Sequence, residues 1–150
     1  MIYTVGEMAK KLNVTALTLR YYDKEGLLPF VERSSGGIRM FKDEDLPGLK
    51  MIECLKKTGM PIRDIKHFMD CSIMGDTTIE ERLSIIRSQR DAVIQQIQEM
   101  QEMLEMLNFK CWYYEAAKEA GTCAIHDSNN IQLEKIPKEY HKFINAGSSF

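Results

Sequence analysis

Apolar residues recur at helical intervals from the start of the chain: Val5, Met8, Ala9 and Leu12 share one face, and Thr4-Val5-Gly6-Glu7 has the spacing of a capping box. This predicts a short amphipathic helix ending at Asn13, a residue type that tolerates positive φ. A second helix should follow, capped by Thr15, running to about Glu25 and stopped by Gly26. Two apolar runs, residues 27–33 and 38–41, flank Ser34-Ser35-Gly36-Gly37 and predict a β-hairpin. A third helix begins near Glu44 or Asp45, because Pro47 is tolerated only in a first turn; it carries Leu46, Leu49, Ile52 and Leu55. Gly59 stops it, and Pro61 opens a fourth helix bearing Ile62, Ile65, Phe68 and Met69.

Beyond Gly75 the period changes. Ile79, Leu83, Ile86, Arg90, Val93, Ile97, Met100, Leu104, Leu107, Cys111 and Tyr114 alternate spacings of four and three, without Pro or Gly, for five heptads. Residues 78–118 therefore predict a coiled-coil helix about 60 Å long at roughly 1.5 Å per residue. Its seam needs a partner helix, most simply from a second copy of the chain. The expected architecture is mainly α: a winged helix-turn-helix over residues 1–70, a linker over 71–77, the dimerising coil over 78–118, and a tail or lid over 119–150.

With 150 residues, 44% of them hydrophobic, the chain suits one modest domain with an extended appendage better than two independent cores. It lacks a leader-like start and any run near the roughly 20 apolar residues that span a bilayer, so a cytoplasmic protein without membrane contact is expected. Four cysteines (Cys54, Cys71, Cys111, Cys123) without a CxxC pair argue against a disulfide framework or a locally encoded zinc site. No metal or cofactor is assigned. The net charge of −2 does not announce a nucleic-acid partner, but residues 1–42 carry seven Lys/Arg against four Asp/Glu, and the chain from residue 71 carries eight against twelve.

In a helix-turn-helix the second helix packs one face on the first and offers the other to the major groove. At about 100° per residue, Leu19 and Tyr22 fall with Thr15 towards the core, whereas Leu17, Arg20, Tyr21 and Lys24 share the opposite face. Arg20 is suited to a guanine edge or a phosphate, Tyr21 to a phosphate, and Lys24 adds a point charge. The candidate DNA-contacting set is Thr15, Leu17, Thr18, Arg20, Tyr21, Tyr22 and Lys24, with Arg33, Arg39 and Lys42 from the hairpin. Arg20 and Lys24 would equally suit a solvated helix face.

The run Thr18-Leu19-Arg20-Tyr21-Tyr22-Asp23-Lys24-Glu25-Gly26-Leu27-Leu28-Pro29, followed by Arg33, Gly37-Ile38-Arg39 and Phe41, resembles the recognition helix and first wing of the MerR family of bacterial regulators. The third and fourth helices resemble its second wing and the heptads its dimerisation helix, so the likeness covers residues 1–118. Ile38 replaces the usual aromatic, and Phe41 a frequent tyrosine. The resemblance implies a homodimer with antiparallel coils that binds double-stranded DNA at a palindromic promoter element and distorts it for RNA polymerase in response to an effector.

Cys54, within Ile52-Glu53-Cys54-Leu55-Lys56-Lys57, resembles the single cysteine of an electrophile-sensing subgroup, with Lys56 and Lys57 near enough in sequence to favour a thiolate. The residues themselves favour an inert packing cysteine over a sensor. Cys111 and Cys123, with His126 nearby, are reminiscent of metal-sensing relatives, although Cys111 falls on the apolar seam. Trp112, Tyr113 and Tyr114 are candidates for an aromatic effector pocket, but consecutive residues face different sides of a helix, which favours packing. Three rival functions remain: an effector-independent, excisionase-like architectural DNA binder; a coiled-coil adaptor; and a thiol enzyme using Cys54 with His67, His126 or His141. No assembled acid, base and oxyanion donor supports the enzyme.

Overall fold

The computed structural model describes residues 1–145 and forms two compact units, Met1–Val93 and the described chain from Ile94 onward. The first contains β1 (Ile2–Tyr3), α1 (Val5–Leu12), α2 (Ala16–Lys24), β2 (Glu32–Arg33), β3 (Arg39–Lys42), α3 (Leu46–Lys57), α4 (Ile62–Met74) and the opening turns of α5 (Ile79–Ala120). At the start of α1 the predicted capping box forms. Thr4 Oγ1 accepts from the Glu7 amide, while a Glu7 carboxylate oxygen accepts from the Thr4 amide at 2.8 Å. The Thr4 backbone bond, then the Thr4 hydroxyl, holds the Glu7 carboxyl below its ordinary value. Asn13 closes the helix in the left-handed region at φ 56°, and Thr15 caps α2 through the Thr18 amide at 3.1 Å.

The hairpin pairs β2 with β3 antiparallel, Arg33 opposite Arg39, around a turn in which Gly37 takes φ +79°. Only Gly adopts that conformation without strain. A strand not anticipated from sequence, β1, pairs with the other edge of β3, Tyr3 opposite Phe41, giving the order β1-β3-β2. Leu27 and Leu28, expected at the start of a strand, are instead completely buried in the turn after α2. They join Met8, Leu19, Tyr22, Val31, Phe41, Leu49, Ile52, Leu55 and Ile65 in one core. Gly48 lets the Phe30 ring lie against α3, since a Cβ there would stand 2.9 Å from the ring.

Two sequence expectations change here. The segment expected as a linker, 71–77, is helical through Met74 and then turns through a short 3-10 segment at Asp76–Thr78. The beginning of α5 also packs on the first unit, where Ile85 and Ile86 lie against its core. In sequence Ile86 belongs to the uniform heptad seam, whereas Ile85 lies outside it.

The second unit comprises the rest of α5, three short 3-10 turns and α6 (His141–Asn145). Phe109, 3% exposed, is its centre. Its ring lies 5.1 Å from Phe143, 5.7 Å from Tyr140 and 6.1 Å from Trp112. Residues 121–145 thus have a packed partner on α5. No helix among the described residues is long and apolar enough to cross a membrane.

Candidate nucleic-acid interface

The outward face of α2 is where the 3.6-residue period places it. Leu17 is 74% exposed, Tyr21 is 41% exposed, and Arg20 and Lys24 are exposed beside them. An exposed leucine of that size on a capped helix is poorly explained by packing and well suited to contact with a thymine methyl or sugar edge. Thr15 and Thr18 stand at the N-terminal end, their hydroxyls 2.9 Å apart and sharing a hydrogen bond. Both hydroxyls therefore serve the helix start.

Tyr22 requires correction as a candidate DNA contact. Only 1% of it is exposed, and its hydroxyl donates to the Glu53 carboxylate on α3. Burial first, and then that bond, push its hydroxyl above the ordinary value of 10.0. The helical period turns Tyr22 inward beside Leu19, so it pins α2 to α3 and offers no exposed surface to a partner.

The wing arginines also have internal partners. The Arg39 side chain is 19% exposed; its Nε donates to Asp23 at 2.6 Å, an Nη completes the pair, and the other Nη donates to the Val31 carbonyl. Arg33 donates to the same Asp23 carboxylate at 3.1 Å and to the Gly37 carbonyl at 2.8 Å. Asp23, on α2, therefore fixes both strands of the wing relative to the recognition helix. Arg39 acts as a strut, and Arg33, half exposed, is the wing arginine with a free edge. Lys42 likewise pairs with Glu32 at 2.7 Å, and this bond raises its ammonium above its ordinary value. A charge count along the chain includes Asp23 but cannot show its pairing, because its partners are 10 and 16 residues away.

Lys56 is a second residue that sequence reasoning placed elsewhere. Its ammonium lies 5.4 Å from the Tyr21 ring centroid and 5.0 Å from that of Tyr22, extending the basic surface of α2. Lys57 pairs with Glu53 at 3.8 Å. Neither ammonium is committed to Cys54, which is exposed on α3.

At the far end of α5, Trp112 and Tyr113 are half-buried in the aromatic cluster, whereas Tyr114 is 59% exposed. His126 stacks on Tyr113 at 3.9 Å, and its Nε2–H donates to the Tyr113 carbonyl at 2.8 Å. An open groove of about 890 Å³ runs past Trp112, His126, Ile131 and Ile136. Cys111 and Cys123 are exposed free thiols.

Residues 3–71 match the family model described as MerR HTH family regulatory protein, and residues 48–108 match that described as MerR, DNA binding. An uncharacterised HTH-type transcriptional regulator of Haemophilus influenzae is 48% identical over 138 residues, spanning 92% of this chain and 98% of its own. The HTH-type transcriptional regulator AdhR of Bacillus subtilis is 34% identical over 91 residues, 61% of this chain and 65% of its own. Among solved structures, HiNmlR, a MerR family regulator lacking the sensor domain and bound to promoter DNA, aligns with TM-score 0.75 at 48% identity, covering 82% of this chain and 98% of that one. A MerR family regulator from Bacillus thuringiensis aligns with TM-score 0.69 at 46% identity, covering 74% and 97%.

Proposed function

The chain belongs to the MerR family of helix-turn-helix transcription regulators, and from that premise we propose that it binds a palindromic promoter element as a homodimer, in the cytoplasm, and distorts it for RNA polymerase. The carrying observation is the exposed face of α2, with Leu17, Arg20, Tyr21 and Lys24 outward and a wing locked beside it through Asp23. The solved relative bound to promoter DNA supports the same assignment. Arg20 and Lys24 supply base and phosphate contacts, Arg33 reaches the flanking backbone, and Lys56 reinforces the phosphate grip.

Dimerisation is supported by the apolar stripe of α5. Ile97, Met100, Leu104 and Leu107 are each more than half exposed in the single chain, which a soluble helix would not leave uncovered. Two copies paired through residues 78–118 would present two recognition helices, and a two-fold protein reads an inverted repeat.

The effector acts through Cys54 in this reading. Its thiol is exposed on the helix whose neighbouring residues Glu53 and Lys56 hold Tyr22 and Tyr21, so a covalent adduct there perturbs the recognition helix directly. The groove beside Trp112 favours an organic ligand as the second reading.

Footprinting of the reduced protein on the DNA upstream of its own gene, at two salt concentrations and with or without an aldehyde, tests these statements. Protection of a palindrome that weakens with salt is expected, with an aldehyde-dependent change that Cys54→Ser abolishes. Protection unaffected by aldehyde would transfer the effector role to the groove or leave a constitutive architectural binder. Absence of salt-dependent protection on any inverted repeat would favour the adaptor.

A further inference from the structure

At the joint between α4 and α5, three side chains of different chemistry converge. His67 and Cys71 lie one turn apart on α4, and Glu81 projects from the first turn of α5. His67 Nε2 is 2.7 Å from a Glu81 carboxylate oxygen and 3.7 Å from Cys71 Sγ, and the three ligand atoms all lie within 4.8 Å of one another. From this convergence we propose that His67, Cys71 and Glu81 bind a zinc ion, or a similar borderline divalent cation, with solvent completing a tetrahedral shell.

Donor type, spacing and access all bear on the choice. Imidazole plus thiolate selects zinc-like ions over magnesium or calcium, which require oxygen shells. Ligands at zinc distances stand about 3.3–3.8 Å apart, so the His67–Cys71 separation of 3.7 Å already fits and the 2.7 Å His67–Glu81 contact needs only a small opening. The sulfur is buried, whereas His67 and Glu81 are more than half exposed, leaving an entry path and an open position. The intervening turn is itself well tied. Thr78, 5% exposed, donates to the Cys71 and Gly75 carbonyls, and Arg82 donates to Thr78 Oγ1 at 3.1 Å and to the Gly75 carbonyl at 3.0 Å.

Binding requires a redistribution of protons. The Cys71 thiol releases its proton to solvent, and His67 becomes the Nδ1–H tautomer so that Nε2 offers its lone pair. Without the ion, burial first and then the Glu81 charge push the thiol above its ordinary value. Asp70 is a further negative group near the sulfur and Arg82 a positive one. The ion would clamp the first turn of α5 onto α4, independently of whether Cys54 senses an electrophile.

The test is a cobalt(II) titration of the full-length, reduced, metal-free protein, followed by thiolate-to-cobalt charge-transfer absorption, with zinc displacing the cobalt. One equivalent per chain is expected. The band should vanish in Cys71→Ser, persist in the triple variant Cys54→Ser, Cys111→Ser, Cys123→Ser, and weaken by at least about tenfold in affinity in His67→Gln and Glu81→Gln. His67→Gln changes an exposed side chain, so it reports on binding even if Cys71→Ser disturbs folding. The proposal is overturned if no band forms, if the band survives Cys71→Ser, if the triple variant loses it, or if both glutamine variants bind as tightly as the unaltered chain. In those cases His67 and Glu81 form an ordinary surface hydrogen bond.

Discussion

Asp23 is an acid set among bases on the surface proposed to face DNA, and its substitution separates charge from geometry. Coulomb's law alone says that Asp23→Ala should tighten DNA binding by removing a repulsive carboxylate. Its bonds to Arg33 and Arg39 say the opposite, because losing charge-assisted contacts worth about 1.5–3 kcal/mol frees the wing. We expect about a tenfold loss of operator affinity by fluorescence anisotropy; a gain would mean that the wing needs no strut. Arg20→Ala should weaken binding without moving the melting temperature, whereas Arg39→Ala should lower both. A second residue-scale expectation concerns acid. Lys11, at 2.7 Å, and Tyr3 bond the Asp43 carboxylate and hold it below its ordinary 3.8. A depressed carboxyl contributes stability that is present above 3.8 and lost as the pH falls through its lower folded value. Asp43→Asn should therefore flatten the acid limb of the stability curve measured by circular dichroism; an unchanged limb would refute the linkage.

The elements differ in how openly the sequence declares them, for physical reasons. The helices α1 to α4 are amphipathic with caps and breakers that act locally, so periodicity with Thr4, Thr15, Gly59 and Pro61 is enough to place them. Strand β1 has two residues and no alternation to detect; it exists because β3 offers it an edge. The opening of α5 is ambiguous in sequence because apolar spacing is the same for a coiled-coil seam and for a helix packed on its own domain, as Ile86, a seam position, packs together with Ile85. At the interface the outward residues of α2 were legible from angle alone, whereas the burden on Asp23 and Lys56 arises from contacts between elements. The tail gave least, because its order derives from Phe109 on a different element. Phe109→Ala should thus remove the anchor of residues 133–145 at about 3–5 kcal/mol of local stability. Limited proteolysis should cut that segment first; unchanged resistance would show that Phe109 is dispensable.

For the whole molecule, the proposed homodimer makes affinity for a two-part operator depend on two recognition helices being joined. Leu104→Glu places a charge in the exposed apolar stripe of α5. It should convert dimer to monomer in analytical ultracentrifugation and abolish palindrome protection while leaving the first unit folded; a persistent dimer would mean that the stripe is not the interface. The same stripe has a genetic consequence. It carries no record of whether the recognition helix on the same chain works, so a chain altered only at Arg20 pairs as readily as an intact one. In a cell expressing both alleles, the Arg20 allele would draw intact chains into hybrids that hold half an operator, and would be dominant. An allele broken at Leu104 pairs with nothing and would be recessive.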